Sequence, residues 1–126
     1  MKKYTLFTML FVAAALISFG FLNKGPEKSD EFYVLVKYKA QPDKEKVAVA
    51  ELRNLIAHVK EEPHFGSITV FSDPADPTNI LLYEQWKSEE YYKGDHMKTA
   101  HLQKFITDSR NFLAGPPEIT FWKVAE

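Results

Sequence analysis

The chain has 126 residues, a formal net charge of −1 and no cysteine. Once the first thirty residues, which differ from the rest, are set aside, this length accommodates one domain of roughly a hundred residues. The near-neutral charge and the lack of a basic run interleaved with aromatic residues argue against a nucleic-acid partner. The missing cysteines exclude disulfides, thiolate metal sites and a cysteine nucleophile.

The N-terminal segment is typical of an export signal. Two lysines precede residues 4–22, which carry no charged side chain and lie in length between a signal-peptide core and a minimal membrane span. A cleaved signal peptide and a retained membrane anchor, covering residues 1–22, therefore both stay open. In either case the lysines are expected to remain cytoplasmic, which places the domain on the other side of the membrane. Residues 23–30 are polar and predict a linker before a domain at residues 31–126.

The first half of the domain predicts a strand, a helix and a hairpin. Residues 32–40 are rich in aromatic and β-branched side chains and stop just before a proline, as a strand would. Apolar side chains recur at helical spacing along residues 43–60, and a Glu-Pro pair ends that helix. Residues 67–72 and 80–86 then read as two strands joined by a turn-rich connection, which predicts an antiparallel pair.

The second half predicts a broken helical region and a closing strand. Ser88 is a suitable N-cap for a short helix that Gly94 interrupts. A longer helix is expected from about Lys98, ending before a Gly-Pro-Pro sequence that precedes a last strand at residues 118–124. The inward stripe of the longer helix is expected to be Leu102, Phe105, Ile106, Phe112 and Leu113. The order βαββαβ with short connections favours a ferredoxin-like α+β fold with its helices on one face of the sheet.

The predicted strands are apolar on both sides. A strand with one face in water should alternate apolar and polar side chains. The first strand instead carries Val34 and Val36 on one side and Tyr33 and Leu35 on the other, and the third and last strands repeat this pattern. The helix-free face is thus too apolar to stand in water, and its burial against a second copy of the chain predicts a homodimer.

The densest group of side chains able to do chemistry surrounds His96 and His101. Their five-residue spacing places them about 140° apart on a continuous helix, which does not favour joint zinc binding. An imidazole beside an aromatic pocket can deprotonate a phenol or quinol hydroxyl. The alternative is that His96 caps a helix end or points to water while His101 packs beside Phe105.

Several aromatic residues are candidates for the wall of a flat, apolar cavity. Phe65, Tyr83 and Trp86 are the first choices, and packing in the core is the alternative role for each. No phosphate-binding glycine-rich loop, dinucleotide fingerprint, serine nucleophile elbow or His-Glu-x-x-His motif is present in the sequence. A nucleotide-using enzyme is therefore disfavoured.

Residues 32–124 resemble the antibiotic biosynthesis monooxygenase domain, including its quinol monooxygenase group. The resemblance is carried by Glu62-Pro63-x-Phe65-Gly66, Leu82-Tyr83-Glu84-x-Trp86, His96-x-x-Thr99-x-His101-x-x-x-Phe105 and Gly115-Pro116-Pro117. It implies a dimeric α+β barrel that oxygenates a small phenol, quinol or anthrone with O₂, often with no metal, flavin or haem cofactor. In such a mechanism a base removes a proton, and the resulting anion passes an electron to O₂ in a dry pocket.

The same likeness implies roles for individual residues. His101 is expected to be the base, with His96 as a second proton carrier or hydrogen-bond donor. The residues expected around the substrate are Phe65, Tyr83, Trp86 and Phe105. A haem-degrading relative is disfavoured, because Phe105 stands where the ligand histidine of that branch is expected. The main alternative to an enzyme is a non-catalytic module of this fold that binds a small apolar ligand or only dimerises.

Overall fold

The computed structural model describes residues 31–126. The predicted signal or anchor and the predicted linker lie outside these residues. The strands and helices, in chain order, are β1 (Phe32–Lys39), α1 (Glu45–Val59), β2 (Phe65–Ser72), β3 (Asn79–Trp86), α2 (Glu89–Lys93), α3 (Ala100–Asp108) and β4 (Glu118–Trp122), with 3₁₀ turns at Asp95–Lys98 and Ser109–Asn111. Among the described helices, none combines the length and hydropathy that crossing a bilayer requires.

The four strands form one antiparallel sheet in the order β2-β3-β1-β4. Val36 at its centre pairs with Leu82 of β3 and Ile119 of β4, and it is buried together with the inward residues of α1 and α3. The helices therefore cover one face of the sheet. This confirms the predicted ferredoxin-like α+β fold with βαββαβ order.

β2 begins at Phe65, two residues earlier than the sequence predicts. The pairing with β3 skips one residue between Phe65 and Ser67, so Gly66 occupies a β-bulge. A Cβ atom on Gly66 would lie 2.4 Å from the carbonyl oxygen of Gln85. This is too short for two non-bonded atoms, so the position requires glycine, which has no Cβ. The bulge thus extends the strand back to the turn after α1 and sets Phe65 against Trp86, its partner in the register.

The predicted break in the second helical region is confirmed. The Ser88 hydroxyl accepts a hydrogen bond from the backbone N–H of Tyr91 at 3.1 Å, and α2 ends at Gly94. Thr99 is extended, with φ −62° and ψ 142°, and separates the following 3₁₀ turn from α3. The longer helix is shorter than predicted, since it stops at Asp108, and Ile106 is exposed rather than part of a buried stripe.

On the other face of the sheet, no helix of residues 31–126 covers the strands. The strand register places Leu35 beside Tyr83, Tyr33 beside Trp122, and Phe71 beside Leu81 on this side. We call these six residues the open face. The aromatic rings of Tyr33 and Tyr83 stack with centroids 5.8 Å apart, and Trp122 remains 55% exposed. The prediction that the sheet is apolar on both sides is confirmed.

Candidate functional site

A cavity of about 580 Å³ lies between the helices and the covered face of the sheet. This is within the usual volume range of small-molecule sites. Its wall is mainly apolar and comes from β1, β3, α1 and α3, with Val36, Leu55, Val59, Leu82, Trp86 and Phe105 among its residues. Buried polar side chains also line it, namely Tyr38, Glu84, Tyr92 and His96. Such a wall suits a mainly apolar ligand with a few polar groups.

Beside this cavity, a buried carboxylate holds both predicted histidines. The Glu62 side chain is only 5% exposed and follows α1 in the turn before β2. His96 Nδ1 lies 2.9 Å from Glu62 Oε1, and His101 Nε2 lies 2.8 Å from Glu62 Oε2. The Tyr91 hydroxyl donates to Glu62 Oε1 at 3.0 Å. Because an ionised carboxylate only accepts hydrogen bonds, both imidazoles present an N–H to it.

The break in the second helical region explains how two histidines five residues apart reach one carboxylate. His96 belongs to the 3₁₀ turn and His101 to α3, with the extended Thr99 between them. The change in chain direction at Thr99 cancels the angular separation that a continuous helix would impose. The Thr99 hydroxyl also donates to the His96 carbonyl at 2.8 Å, which holds this turn in place.

The two histidines occupy different surroundings. The His96 ring is buried and packs between Trp86 and Tyr92, with ring centroids 4.7 Å and 4.8 Å away. It lines the cavity. The His101 side chain is 23% exposed, stacks on the His58 ring at 5.6 Å and lines a separate surface groove instead. The suggestion that His96 points to water is therefore wrong, and His96 is the imidazole placed at the cavity.

The four aromatic residues predicted around a substrate do not come together. Trp86 and Phe105 line the cavity. Phe65 packs edge-on against Trp86 with centroids 5.9 Å apart, which places it behind the wall. Tyr83 lies on the open face, 39% exposed, on the opposite side of the sheet from Trp86. The structure thus groups Trp86 and Phe105 with His96 and leaves Tyr83 outside.

Glu84 is a cavity residue that the sequence reasoning missed. It lies on the covered side of β3 and is 6% exposed. Its Oε2 accepts a hydrogen bond from Trp86 Nε1 at 2.8 Å. Burial raises the pKa of Glu84 to about 7, and the charge of Glu62 adds to the rise against the lowering effect of the Trp86 hydrogen bond. Strand alternation was the available signal, since Glu84 shares its side with Leu82 and Trp86.

Two tyrosines of the cavity are held in the protonated form. Burial raises the pKa of Tyr38 and of Tyr92, and the nearby Glu84 carboxylate raises both further. Each therefore offers a hydroxyl donor to the cavity at any physiological pH. Among residues 31–126, no group of three or more His, Cys, Asp or Glu side chains is arranged to hold a metal ion.

Comparison with known proteins gives a family and a fold. The uncharacterized protein sll1783 of Synechocystis sp. is 28% identical over 97 residues, which are 77% of this chain, and the chain spans 65% of the length of that relative. A solved protein of Nitrosomonas europaea, described as a candidate antibiotic biosynthesis monooxygenase, superposes with a TM-score of 0.70 at 20% identity, over 76% of this chain and 91% of its own. PA3566 of Pseudomonas aeruginosa gives 0.69 at 21%, over 78% and 98%. At these identities the structural likeness shows the fold alone.

The family follows from the sequence match. The model of the antibiotic biosynthesis monooxygenase family matches residues 31–108, which is more than half of the chain. The matched segment runs from β1 to the end of α3 and includes Glu62, Glu84, His96 and His101. The chain belongs to the antibiotic biosynthesis monooxygenase family.

Proposed function

We propose that this protein is a monooxygenase that inserts one oxygen atom of O₂ into a small phenol, quinol or anthrone without a cofactor. Three observations support the proposal: the family membership, the largely apolar cavity of about 580 Å³, and the pairing of His96 with Glu62 at 2.9 Å. The last carries it, because an imidazole that lines a cavity and is oriented by a buried carboxylate is arranged as a general base.

The proton has a defined route in this arrangement. His96 donates through Nδ1 to Glu62, which leaves Nε2 of the neutral ring as the acceptor. Transfer of the substrate proton to Nε2 makes an imidazolium, and the negative charge of Glu62 stabilises it in a site of low dielectric. Glu62 thus both fixes the tautomer of His96 and compensates the charge that the reaction creates.

The remaining steps take place on the substrate and O₂. The deprotonated, electron-rich ring passes one electron to O₂, and the resulting superoxide and substrate radical combine into a peroxide. Loss of water from the peroxide leaves one oxygen atom as a new carbonyl, and the other atom of O₂ leaves in the water. Two hydrogens are removed from the substrate, so the reaction balances without an external reductant. The apolar wall excludes water while the anion is exposed to O₂.

The activity is tested by oxygen uptake. Metal-free protein, treated with a chelator, is mixed with a panel of quinols and anthrones in ¹⁸O₂, and the product is analysed by mass spectrometry. The proposal predicts uptake of one O₂ per product and one ¹⁸O atom in the product. Saturable binding of these compounds with no uptake beyond the uncatalysed rate would contradict it and support the binding-only alternative.

We also propose that two copies pair through the open face. Phe71, Tyr83 and Trp122 on this face are 49%, 39% and 55% exposed, which is a large aromatic area for a surface in water. Pairing with a second copy buries the same residues on both subunits about a two-fold axis. Sedimentation of the domain at micromolar concentration should give the mass of a dimer.

The site of action proposed from the N-terminal segment is outside the cytoplasm. Residues 1–22 lie outside the described part of the chain, so the proposal rests on their sequence alone. Cell fractionation with N-terminal sequencing of the recovered protein separates the two forms of the proposal. A cleaved signal gives a shortened protein in the soluble exported fraction, and an anchor gives the full chain in the membrane fraction. Recovery of the full chain in the cytoplasm would contradict both.

A further inference from the structure

Three buried polar side chains of the cavity have oxygens that remain without a hydrogen-bond partner among the described residues. Tyr38, Glu84 and Tyr92 are each more than nine-tenths buried. Glu84 Oε2 is bound by Trp86 Nε1, which leaves Oε1 free of partners in this part of the chain. In the same part, no fully shielded side-chain nitrogen or oxygen lacks a partner. The free Oε1 and the two tyrosine hydroxyls therefore face the open space of the cavity that their residues line.

The three groups act on one another through space. The Glu84 carboxylate raises the pKa of both tyrosines, and Tyr38 raises that of Tyr92. They come from three elements, since Tyr38 lies on β1, Glu84 on β3 and Tyr92 on α2. Buried polar groups without partners cost free energy that a bound ligand can recover. Three such buried groups in the lining of one cavity indicate a site for a polar substituent.

We infer that Glu84, Tyr38 and Tyr92 form a binding site for an uncharged hydroxyl group of the ligand and disfavour an anionic group in its place. This inference rests on the cavity of the proposed function and specifies its substrate class. A hydroxyl donates one hydrogen bond and accepts others. It therefore satisfies the carboxylate Oε1 as a donor and a tyrosine hydroxyl as an acceptor.

An anionic substituent would be disfavoured at this position. A carboxylate or phosphate at this position would set a second negative charge beside Glu84 in a site of low dielectric. Arg110, which also lines the cavity, belongs to its outer part, because it is exposed and its Nε donates to the Thr107 carbonyl at 3.2 Å. The buried end of the cavity thus favours a neutral, hydroxylated ring.

The test is run under anaerobic conditions and uses three probes that differ at one substituent: 2-naphthol, 2-methoxynaphthalene and 2-naphthoate. Binding is measured at pH 8 by quenching of tryptophan fluorescence, without turnover. We expect 2-naphthol to bind on the order of tenfold more tightly than the methoxy compound. The reason is that the naphthol hydroxyl can donate a hydrogen bond to the charged Glu84 carboxylate, whereas the methoxy group has no hydrogen to donate. 2-Naphthoate should bind most weakly. An equal or tighter affinity for 2-naphthoate in the wild type would overturn the inference.

Glu84→Gln supplies the sharpest variant. The amide keeps an oxygen acceptor for Trp86 Nε1 and replaces Oε1 with an NH₂ donor. We expect the preference for 2-naphthol to disappear and 2-naphthoate to gain at least tenfold in affinity. Glu90→Gln, which removes the same charge from an exposed position of α2, should leave the ranking unchanged. Tyr38→Phe, which keeps the ring, should weaken 2-naphthol several-fold, and a ranking unchanged in both Glu84→Gln and Tyr38→Phe would overturn the inference.

The result is separable from the proposed activity. If the preference for the hydroxyl probe depends on Glu84 but the protein takes up no oxygen, the hydroxyl site is supported and the proposed monooxygenase activity is contradicted. If the protein takes up oxygen but the order of probe affinities is the same in wild type and Glu84→Gln, the hydroxyl site is contradicted and the proposed monooxygenase activity stands.

Discussion

Both faces of the sheet carry apolar side chains, yet they differ in what accompanies these side chains. On the covered face, Glu84, Tyr38 and the nearby His96 bring buried polar side chains to the wall of the cavity. The open face presents exposed aromatic rings such as Tyr83 and Trp122, and no helix in the described part of the chain packs on them. Buried polar atoms with spare hydrogen-bonding capacity indicate a site for a ligand. An exposed aromatic surface indicates a site for another protein surface.

The largest effect is expected from removing the imidazole on the covered face. His96→Gln should reduce the oxygen-uptake rate by roughly 10²- to 10⁴-fold, the usual contribution of a general base. The measurement is the initial rate with the best substrate of the panel, and thermal melting verifies that the variant folds.

The matched control is another histidine outside the cavity. His64 lies in an exposed turn with φ 65°, a conformation that asparagine tolerates. His64→Asn should therefore keep both the fold and the rate. Equal rates in wild type and His96→Gln would remove His96 from the mechanism.

The second prediction concerns stability on the covered face. The pKa of Glu84 is raised from 4.5 to about 7 in the folded protein, so folding disfavours its ionised form. Below pH 4.5 the Glu84 carboxyl is protonated in both the folded and the unfolded state, and its burial carries no charge penalty. As the pH rises from 4.5 to about 7, the unfolded state ionises more readily, and the wild type loses stability. We expect Glu84→Gln to gain about 3 kcal/mol in the free energy of unfolding relative to wild type over this range.

The measurement is chemical denaturation of both proteins at several pH values. The difference between the two curves isolates Glu84 from the other titrating groups, including Glu62, because those groups are common to both. A difference that does not change between pH 4.5 and 7 would show that the Glu84 carboxyl is not buried as described.

The third prediction tests the open face. Tyr83→Lys places a charge at the centre of the proposed contact and should weaken dimerisation by about 2 kcal/mol or more, as expected for a central aromatic residue. Sedimentation over a concentration series measures the dissociation constant. Val47→Lys is the control, because Val47 is an exposed apolar residue of α1, 44% exposed and away from the sheet. A dissociation constant unchanged by Tyr83→Lys would place the dimer contact elsewhere.

The smallest effect is expected for the second histidine. His101 touches Glu62 but does not line the cavity, so its influence on the base passes through the carboxylate. His101→Gln should lower the oxygen-uptake rate by about tenfold or less, in the range of a hydrogen bond to a charged group. The substrate affinity should not change. A loss as large as that of His96→Gln would give His101 the role of base.

Local patterns in the sequence predicted most of the fold. The aromatic and β-branched residues of β1, the Ser88 cap and the break at Gly94 are all local signals, and the structure has each of these features. The burial of Glu62 could not be predicted in this way, because its partners Tyr91, His96 and His101 lie 29, 34 and 39 residues away.

The position of Tyr83, by contrast, could have been predicted from the sequence. Residues three apart on a strand point to opposite faces, so Tyr83 and Trp86 cannot both line one cavity. The same rule places Glu84 beside Trp86 and would have found this cavity residue. Tyr83 and Trp86 were assigned to one cavity wall because both are aromatic, whereas strand alternation places them on opposite faces.

The measurement that tests the central claim most directly is the ionisation of a bound phenol. 4-Nitrophenol absorbs at a longer wavelength as its anion, and mixing it with the protein under anaerobic conditions reads proton transfer without oxygen chemistry. If His96 takes the proton in the cavity, binding to the wild type should increase the anion absorbance at a pH just below the pKa of the free phenol, and binding to His96→Gln should not. An equal anion fraction in the two bound proteins would contradict the account.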